Sequence, residues 1–441
     1  MIIRKKIMLN KDRVKIPGFS QVDFFFLILF FLSFFHSSLG FLFNVVLIYY
    51  WKFGTEGCLK SLIFLTTRGL LNPAIAAPAS FQVFRWAIVL GASFLILIYS
   101  DIKNGRLKNK YNKILLCAIL FSAVVSMFNL VISSYPITAV FKVISFLIAF
   151  SAVLKGVAVT NEYVNWTDFL VSFYGILYII NIIIIPFKQF RIVNEDFQGI
   201  FNHVNIFGII SVLFLAMLLN SEFYKGHKIF RIFMICAVFF MEYLSASRTG
   251  MISCIIVCTI YVLNKRMAWI KVAGVIVLLF IGYFFLPQNV VLSIDQGINE
   301  FVYKNNATSI LDSREETLEL YYSKFNEEPL FGTGFMVPYD PEIRDYTLNF
   351  DLVVEPGNLL WTLLGDTGII GVLIFILLFL VLLFNGGISR VYLIAAVFLI
   401  CMGEMVFFSV NNMAVIIYLV LAVYVFENGK YNPTNTLKLE K

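Results

Sequence analysis

Long apolar runs alternate with short polar connections along almost the whole chain. Runs near the roughly 20 residues that carry a helix across a bilayer fall at 82–100, 112–131, 138–156, 168–187, 204–220, 229–246, 249–264, 268–286, 366–384, 389–407 and 410–426. The stretch 22–50 admits two readings. It is one long tilted helix, or two short helices broken at Ser37-Ser38-Leu39-Gly40, in which case 59–78 supplies a further crossing. The pattern therefore predicts an all-α polytopic membrane protein with 12 spans, or 14. Both counts put the two termini on the same side.

Composition agrees. Of 441 residues, 60% are hydrophobic and only 14% charged, against about 25% charged in soluble domains. This excludes an ordinary globular enzyme, a disordered chain and a nucleic-acid binder. The six cysteines lie in or beside apolar runs without a CxxC spacing, so no disulfide framework is implied. The basic N-terminus leads straight into a long span with no small-residue cleavage site, which reads as uncleaved.

Charge orients the chain, because Lys and Arg are retained on the cytoplasmic side. With the N-terminus inside and 12 spans, 22 of the 34 basic residues fall in inner segments, among them Lys103, Arg106, Lys108, Lys110 and Lys113. Residues 1–21 and 427–441 are then cytoplasmic, with the tail from Glu427 loose. Residues 22–286 form the first part of the helical bundle and 358–426 the last part. Between them, 287–357 form a large extracytoplasmic loop with 13 acidic and 4 basic residues, a net of −9 within a chain of net +7. Ser313-Arg314-Glu315-Glu316 reads as a capping box opening a short helix. Leu311, Leu318, Tyr321, Tyr322 and Phe325 give it an apolar face, and Pro329 with Gly332-Thr333-Gly334 ends it.

No P-loop, HExxH or DxD occurs, and three histidines without a carboxylate cluster make a metal site unexpected. The unusual residues gather on the outer side instead. Lys188-Gln189-Phe190-Arg191 follows one span, and Gly199-Ile200-Phe201-Asn202-His203-Val204-Asn205 enters the next. Asn202, His203 and Asn205 thus collect at a helix N-terminus, where free N–H groups and the dipole favour an anion; plain helix capping is the competing reading. Ser245-Ala246-Ser247-Arg248-Thr249-Gly250 makes an outer hinge whose arginine is costly at membrane depth. Glu242 is a plausible counter-charge for it, and Glu404, in the middle of a span, needs a partner the sequence does not name. Arg314, Arg344 and Glu355-Pro356-Gly357-Asn358 belong to the long loop. The glycines of Gly365-Asp366-Thr367-Gly368-Ile369-Ile370-Gly371 read as a close-packing face. Guanidinium groups set in an acidic loop suit a pyrophosphate, which they grip bidentately without losing charge.

The segments GIFNHVNIFG (199–208), SASRTG (245–250), LDSREETLELYYSKFNEEPLFGTGF (311–335) and EPGNLLWTLLGDTGIIG (355–371), in that order, resemble the bacterial O-antigen polymerase and O-antigen ligase superfamily. The resemblance covers roughly 190–385; the N-terminal half is similar in hydropathy alone. It implies a GT-C-type glycosyltransferase of the bacterial cytoplasmic membrane that needs no metal or other cofactor. Such an enzyme moves a glycan from undecaprenyl pyrophosphate to an acceptor hydroxyl on the outer face. By position, Arg191, Arg248 and Arg314 look like the arginines that hold pyrophosphate and glycan, with Asn205, Arg344 and Asn358 as further substrate contacts. Related ligases carry a histidine just before the asparagine that opens the helix after the large loop. Here Glu355-Pro356-Gly357 precedes Asn358, which favours a polymerase of capsular or O-antigen-like repeat units. Glu355 is the first candidate for the base that accepts the hydroxyl proton and His203 the second. Expected partners are the lipid-linked oligosaccharide, membrane lipids, and flippase and chain-length regulator proteins, with no nucleic acid. Two rival readings remain: a ligase, and a flippase for the same lipid-linked sugars. Against the flippase stand the absence of an internal repeat and the crowding of polar residues on one face.

Overall fold

The computed structural model describes residues 17–77, 82–187, 196–264, 315–337 and 357–427. The helices before the long loop are α1 (Gln21–Leu32), α2 (Ser37–Tyr50), α3 (Gly54–Gly69), α4 (Gln82–Tyr99), α5 (Gly105–Ile132), α6 (Pro136–Thr160), α7 (Trp166–Ile184), α8 (Val204–Asn220), α9 (Glu222–Gly226), α10 (Lys228–Ser245) and α11 (Arg248–Leu263). After them come α12 (Glu315–Glu327), α13 (Leu359–Asn385), α14 (Val391–Gly403) and α15 (Ala414–Phe426). There is no β-strand among the described residues, only an isolated bridge between Leu71 and Phe201. Helices α5, α6, α7 and α13 are long and apolar enough to cross a membrane by themselves, and shorter apolar helices accompany them. The protein is a polytopic membrane protein, as the hydropathy pattern predicts. The span expected at 268–286 lies outside the described residues.

The ambiguous stretch 22–50 resolves into two helices. The chain leaves α1 at Ser33, and His36 caps α2. At one end of this pair Asp23 accepts from Lys60 Nζ at 2.7 Å and from the Tyr50 hydroxyl. At the other end Arg68 of α3 donates to Ser33 Oγ at 2.8 Å and to Ser33 O at 2.9 Å. Helices α1 and α2 are therefore antiparallel, and α3 runs beside them in the direction of α1.

The long loop is not all surface. Its helix α12 ends before Pro329 as expected, but the inward face differs from the expected one: Tyr321 and Lys324 are buried and Tyr322 is 57% exposed. Residues 329–337 then dip into the bundle. Gly368, with φ +61°, breaks α13 and brings the loop backbone against it. The freed N–H groups of Ile369 and Ile370 donate to Pro329 O and Leu330 O at 2.9 and 3.2 Å. Conversely, Thr333 N and Gly334 N donate to Gly365 O and Asp366 O at 3.0 and 3.3 Å. A broken helix in a bilayer persists only when its orphaned backbone groups find such partners. The glycine face of 365–371 does permit close packing, though its partners are a loop and α12 rather than another membrane helix.

This dipping segment marks what we call the capped end. Phe335 N donates to Asn129 Oδ1 of α5 at 2.7 Å, Lys142 of α6 donates to Met336 O, and Phe335 lies against Phe408 with ring centroids 5.0 Å apart. Beneath it the last two helices depart from the expected spans 389–407 and 410–426. Each has 13 residues, about 20 Å of helix against a hydrocarbon core of about 30 Å. They meet through an irregular connection, 404–413, that is mostly buried and anchored by Phe407 and Phe408 among Phe121, Phe146 and Phe375. At the opposite end Glu427 is held rather than loose: its carboxylate accepts from Thr167, and its carbonyl from Arg390. The expected loose tail beyond it, 428–441, lies outside the described residues.

Candidate functional site

Three helix N-termini and one helix C-terminus meet at the capped end. The first N-terminus is that of α8. Gly199 takes a φ of +59°, and a Cβ there would collide with the Asn181 amide, whose Oδ1 accepts from Ile200 N at 2.8 Å. Asn72 N donates to Ile200 O at 2.8 Å, and Asn202 N to Leu70 O at 2.9 Å. So braced, the chain delivers His203 as the N-cap of α8. Its Nδ1 accepts from Asn205 N at 3.1 Å, and Asn205 Nδ2 reaches Glu404 Oε1 at 2.7 Å.

The second N-terminus is that of α11. The hinge from α10 turns through Ala246, whose φ is +50°, and Ser247 caps α11 by accepting from Gly250 N at 3.3 Å. Arg248 is the first helical residue. It is half-buried, and its guanidinium makes no hydrogen bond or ion pair among the described residues. Glu242 is not its counter-charge. That carboxylate is fully buried beneath the hinge, packed against Gly208 and Gly250, and forms no ion pair among the described residues. Glycine is needed at both positions because any Cβ would enter the space that Glu242 and Ser247 occupy.

The third N-terminus opens α13. Asn358 Oδ1 accepts from Leu360 N and Trp361 N at 3.0 and 3.2 Å, while its Nδ2 donates to Met402 O at 3.2 Å. One side chain thus caps the start of α13 and the end of α14. Gly403 lies against Thr249 of α11, and Glu404 leaves the helix with extended φ/ψ. The partial positive charges of α8, α11 and α13 accordingly surround one half-buried carboxylate and one unpaired arginine. Such an arrangement can hold an oxyanion on backbone N–H groups, amides and guanidinium together.

Of the residues singled out in the sequence, His203, Asn205, Arg248 and Asn358 come together here. Arg191, Arg314, Arg344 and Glu355 lie outside the described residues. Glu404 is the member that sequence reasoning left without a role. Its signal was legible in part: an acidic residue inside an apolar run, followed by the polar Ser409-Val410-Asn411-Asn412. Its partner, 199 positions away in the chain, was not.

No curated protein matches the chain. Residues 232–376 match a family model described as O-antigen ligase. The match takes in most of α10, the Arg248 hinge, α12, and α13 from Asn358 past the Gly368 break, and leaves His203, Asn205 and Glu404 outside it. This part of the chain is thus similar to the O-antigen ligase family, in agreement with the resemblance of the ordered segments read from the sequence.

Proposed function

We propose that the protein polymerises undecaprenyl-pyrophosphate-linked oligosaccharide repeat units into a capsular or O-antigen-like polysaccharide. The fold would be of the GT-C type with 14 spans, both termini cytoplasmic and the capped end outside. The observation that carries the reading is the gathering of Arg248, His203, Asn205 and Asn358 at three helix N-termini, within or beside the segment that matches the O-antigen ligase model.

In this reading the acceptor sugar hydroxyl attacks the anomeric carbon of the donor. The bond from that carbon to the pyrophosphate oxygen breaks, and the pyrophosphate leaves with the electron pair. Arg248, with Arg191, Arg314 and Arg344, stabilises the charge that develops on it. The hydroxyl proton passes to Glu355. His203, our second candidate for this base, uses Nδ1 to accept the Asn205 N–H. A neutral ring bonded that way carries its proton on Nε2, which makes it a donor to the leaving anion and leaves the base role to Glu355. The missing histidine before Asn358 favours a polymerase over a ligase. The position of the polar cluster at one end of the bundle favours an enzyme over a midplane transporter.

Gene deletion followed by analysis of the lipid-linked pool tests this. Single repeat units remaining on lipid at the outer face are expected; long polymer retained on lipid would mean a ligase, and units trapped inside a flippase. Complementation with Glu355→Gln should leave polymerisation about 10²-fold slower, whereas near-normal rates would remove Glu355 from the mechanism. For the orientation, single cysteines at Lys108 and Thr308 in a cysteine-free background should react with an impermeant thiol reagent only at 308 in intact cells. Labelling at 108 alone would invert it.

A further inference from the structure

The capped end holds a second group of unpaired donors, away from Arg248, that none of the roles above uses. Two arginines lie where α3 passes to α4. Arg68 is satisfied internally: Nε donates to Ser33 Oγ, and Nη2 to Ser33 O and Ala77 O. Arg85, in the first turn of α4, is not. Its Nε and Nη2 are enclosed yet have no hydrogen-bond partner among the described residues, and the same holds for Trp86 Nε1 beside it and for Asn72 Nδ2 just beyond the end of α3. The Arg85 guanidinium lies flat against Gly69, where any Cβ would strike it. Arginine at membrane depth is costly and is retained where it faces a cavity, a pathway or a partner. Enclosed donors without acceptors each cost the desolvation of a polar group.

The chemistry that would complete this group is an oxyanion with several acceptor oxygens, which a guanidinium grips better than any other side chain. The surroundings say where it comes from. Val83 is 75% exposed, Leu42 53% and Phe41 40%, and the Phe41 ring lies 5.6 Å from that of Phe84. An acyl or polyprenyl chain has an apolar wall to lie on directly beside the arginine. Leu70, next to Gly69, accepts from Asn202 N, and Asn202 precedes His203. A lipid phosphate held by Arg85 would therefore lie one braced loop away from the candidate site.

We propose that Arg85 forms a second oxyanion site for the phosphate of a membrane lipid. Resting on the polymerase reading, its occupant is the pyrophosphate of the second lipid-linked glycan, the acceptor. Polymerisation joins two lipid-linked substrates, and only the donor gives up its pyrophosphate at the Arg248 site.

The test is a binding measurement, so it does not depend on polymer being made. Full-length protein in nanodiscs of zwitterionic lipid is titrated with radiolabelled undecaprenyl pyrophosphate carrying no sugar. Wild type is expected to retain two equivalents. Arg85→Gln should weaken one of them at least about tenfold, the worth of a hydrogen bond to a charged group, and Arg248→Lys should weaken the other. Gly69→Ala, which keeps the charge but displaces the guanidinium, should reproduce the Arg85→Gln loss and covers the case in which the glutamine variant does not fold. Unchanged retention by Arg85→Gln and Gly69→Ala would overturn the site and make Arg85 a structural strut. Phosphatidylglycerol that displaces only the Arg85-dependent equivalent would support the oxyanion site and assign it to bulk phospholipid. Failure to displace it would assign the site to the polyprenyl pyrophosphate.

Discussion

Arg248→Lys is expected to lose most polymer, about 10²-fold or more in rate, although the positive charge is kept. The residue opens α11 at the centre of the three N-termini, and its guanidinium has no protein partner among the described residues, so its donors are available to a ligand. Lysine offers a compact point charge on a flexible stem and cannot make the paired, coplanar hydrogen bonds that a phosphate accepts from arginine. Arg106→Lys, on the first turn of α5 away from the capped end, should be harmless and serves as the control. The measurement is polymer yield from membranes with matched protein levels. Near-normal yield from Arg248→Lys would reduce the arginine to a solvated surface charge.

Asp366→Ala should release the dipping segment of the long loop at a cost of about 3–5 kcal/mol, the usual consequence of stripping one partner from a buried ion pair. Lys324 Nζ lies 3.0 Å from Asp366 Oδ1, with side chains 2% and 1% exposed. The other carboxylate oxygen accepts from Met336 N at 2.8 Å, and Lys324 also donates to Val337 O at 3.2 Å. Removing the carboxylate leaves a buried ammonium without its counter-charge, held by Val337 O alone, and the Met336 N–H without its acceptor. The expected readouts are a lowered Tm in detergent and rapid protease cleavage between residues 328 and 337. The paired replacement Lys324→Met with Asp366→Leu should recover much of the loss, because it removes both charges at once. Wild-type melting and protease resistance in Asp366→Ala would show that the interlaced backbone bonds at Gly368 hold the segment by themselves.

These two sites were visible in the sequence to different degrees. Arg248 stood out because an arginine in a hinge of almost no length between two apolar runs is costly unless it faces a cavity or a partner or reaches the interface. Lys324 and Asp366 did not, since each reads alone as an ordinary polar residue: one on a loop helix, the other among packing glycines. The expected inward face of α12 used Tyr322 where the structure uses Lys324. A charge becomes a core residue only when its counter-charge arrives, and here that partner is 42 positions along the chain.

The chain by itself determined which segments are helices in the bundle. In lipid an apolar run by itself can satisfy its backbone groups only as a helix, so helix is what a long apolar run announces. The ends of α8, α10 and α11 accordingly fall within a residue or so of the apolar runs that announce them. Tertiary structure alone decided where those helices stop being regular and what their ends face. The break of α13 at Gly368 exists because a loop supplies the missing acceptors and donors, and the stop of α14 at Gly403 has the Asn358 cap on Met402. Glu404 joins the site because Asn205 reaches it across the bundle. Such pairings depend on distances between helices, and hydropathy along one dimension carries no measure of those distances.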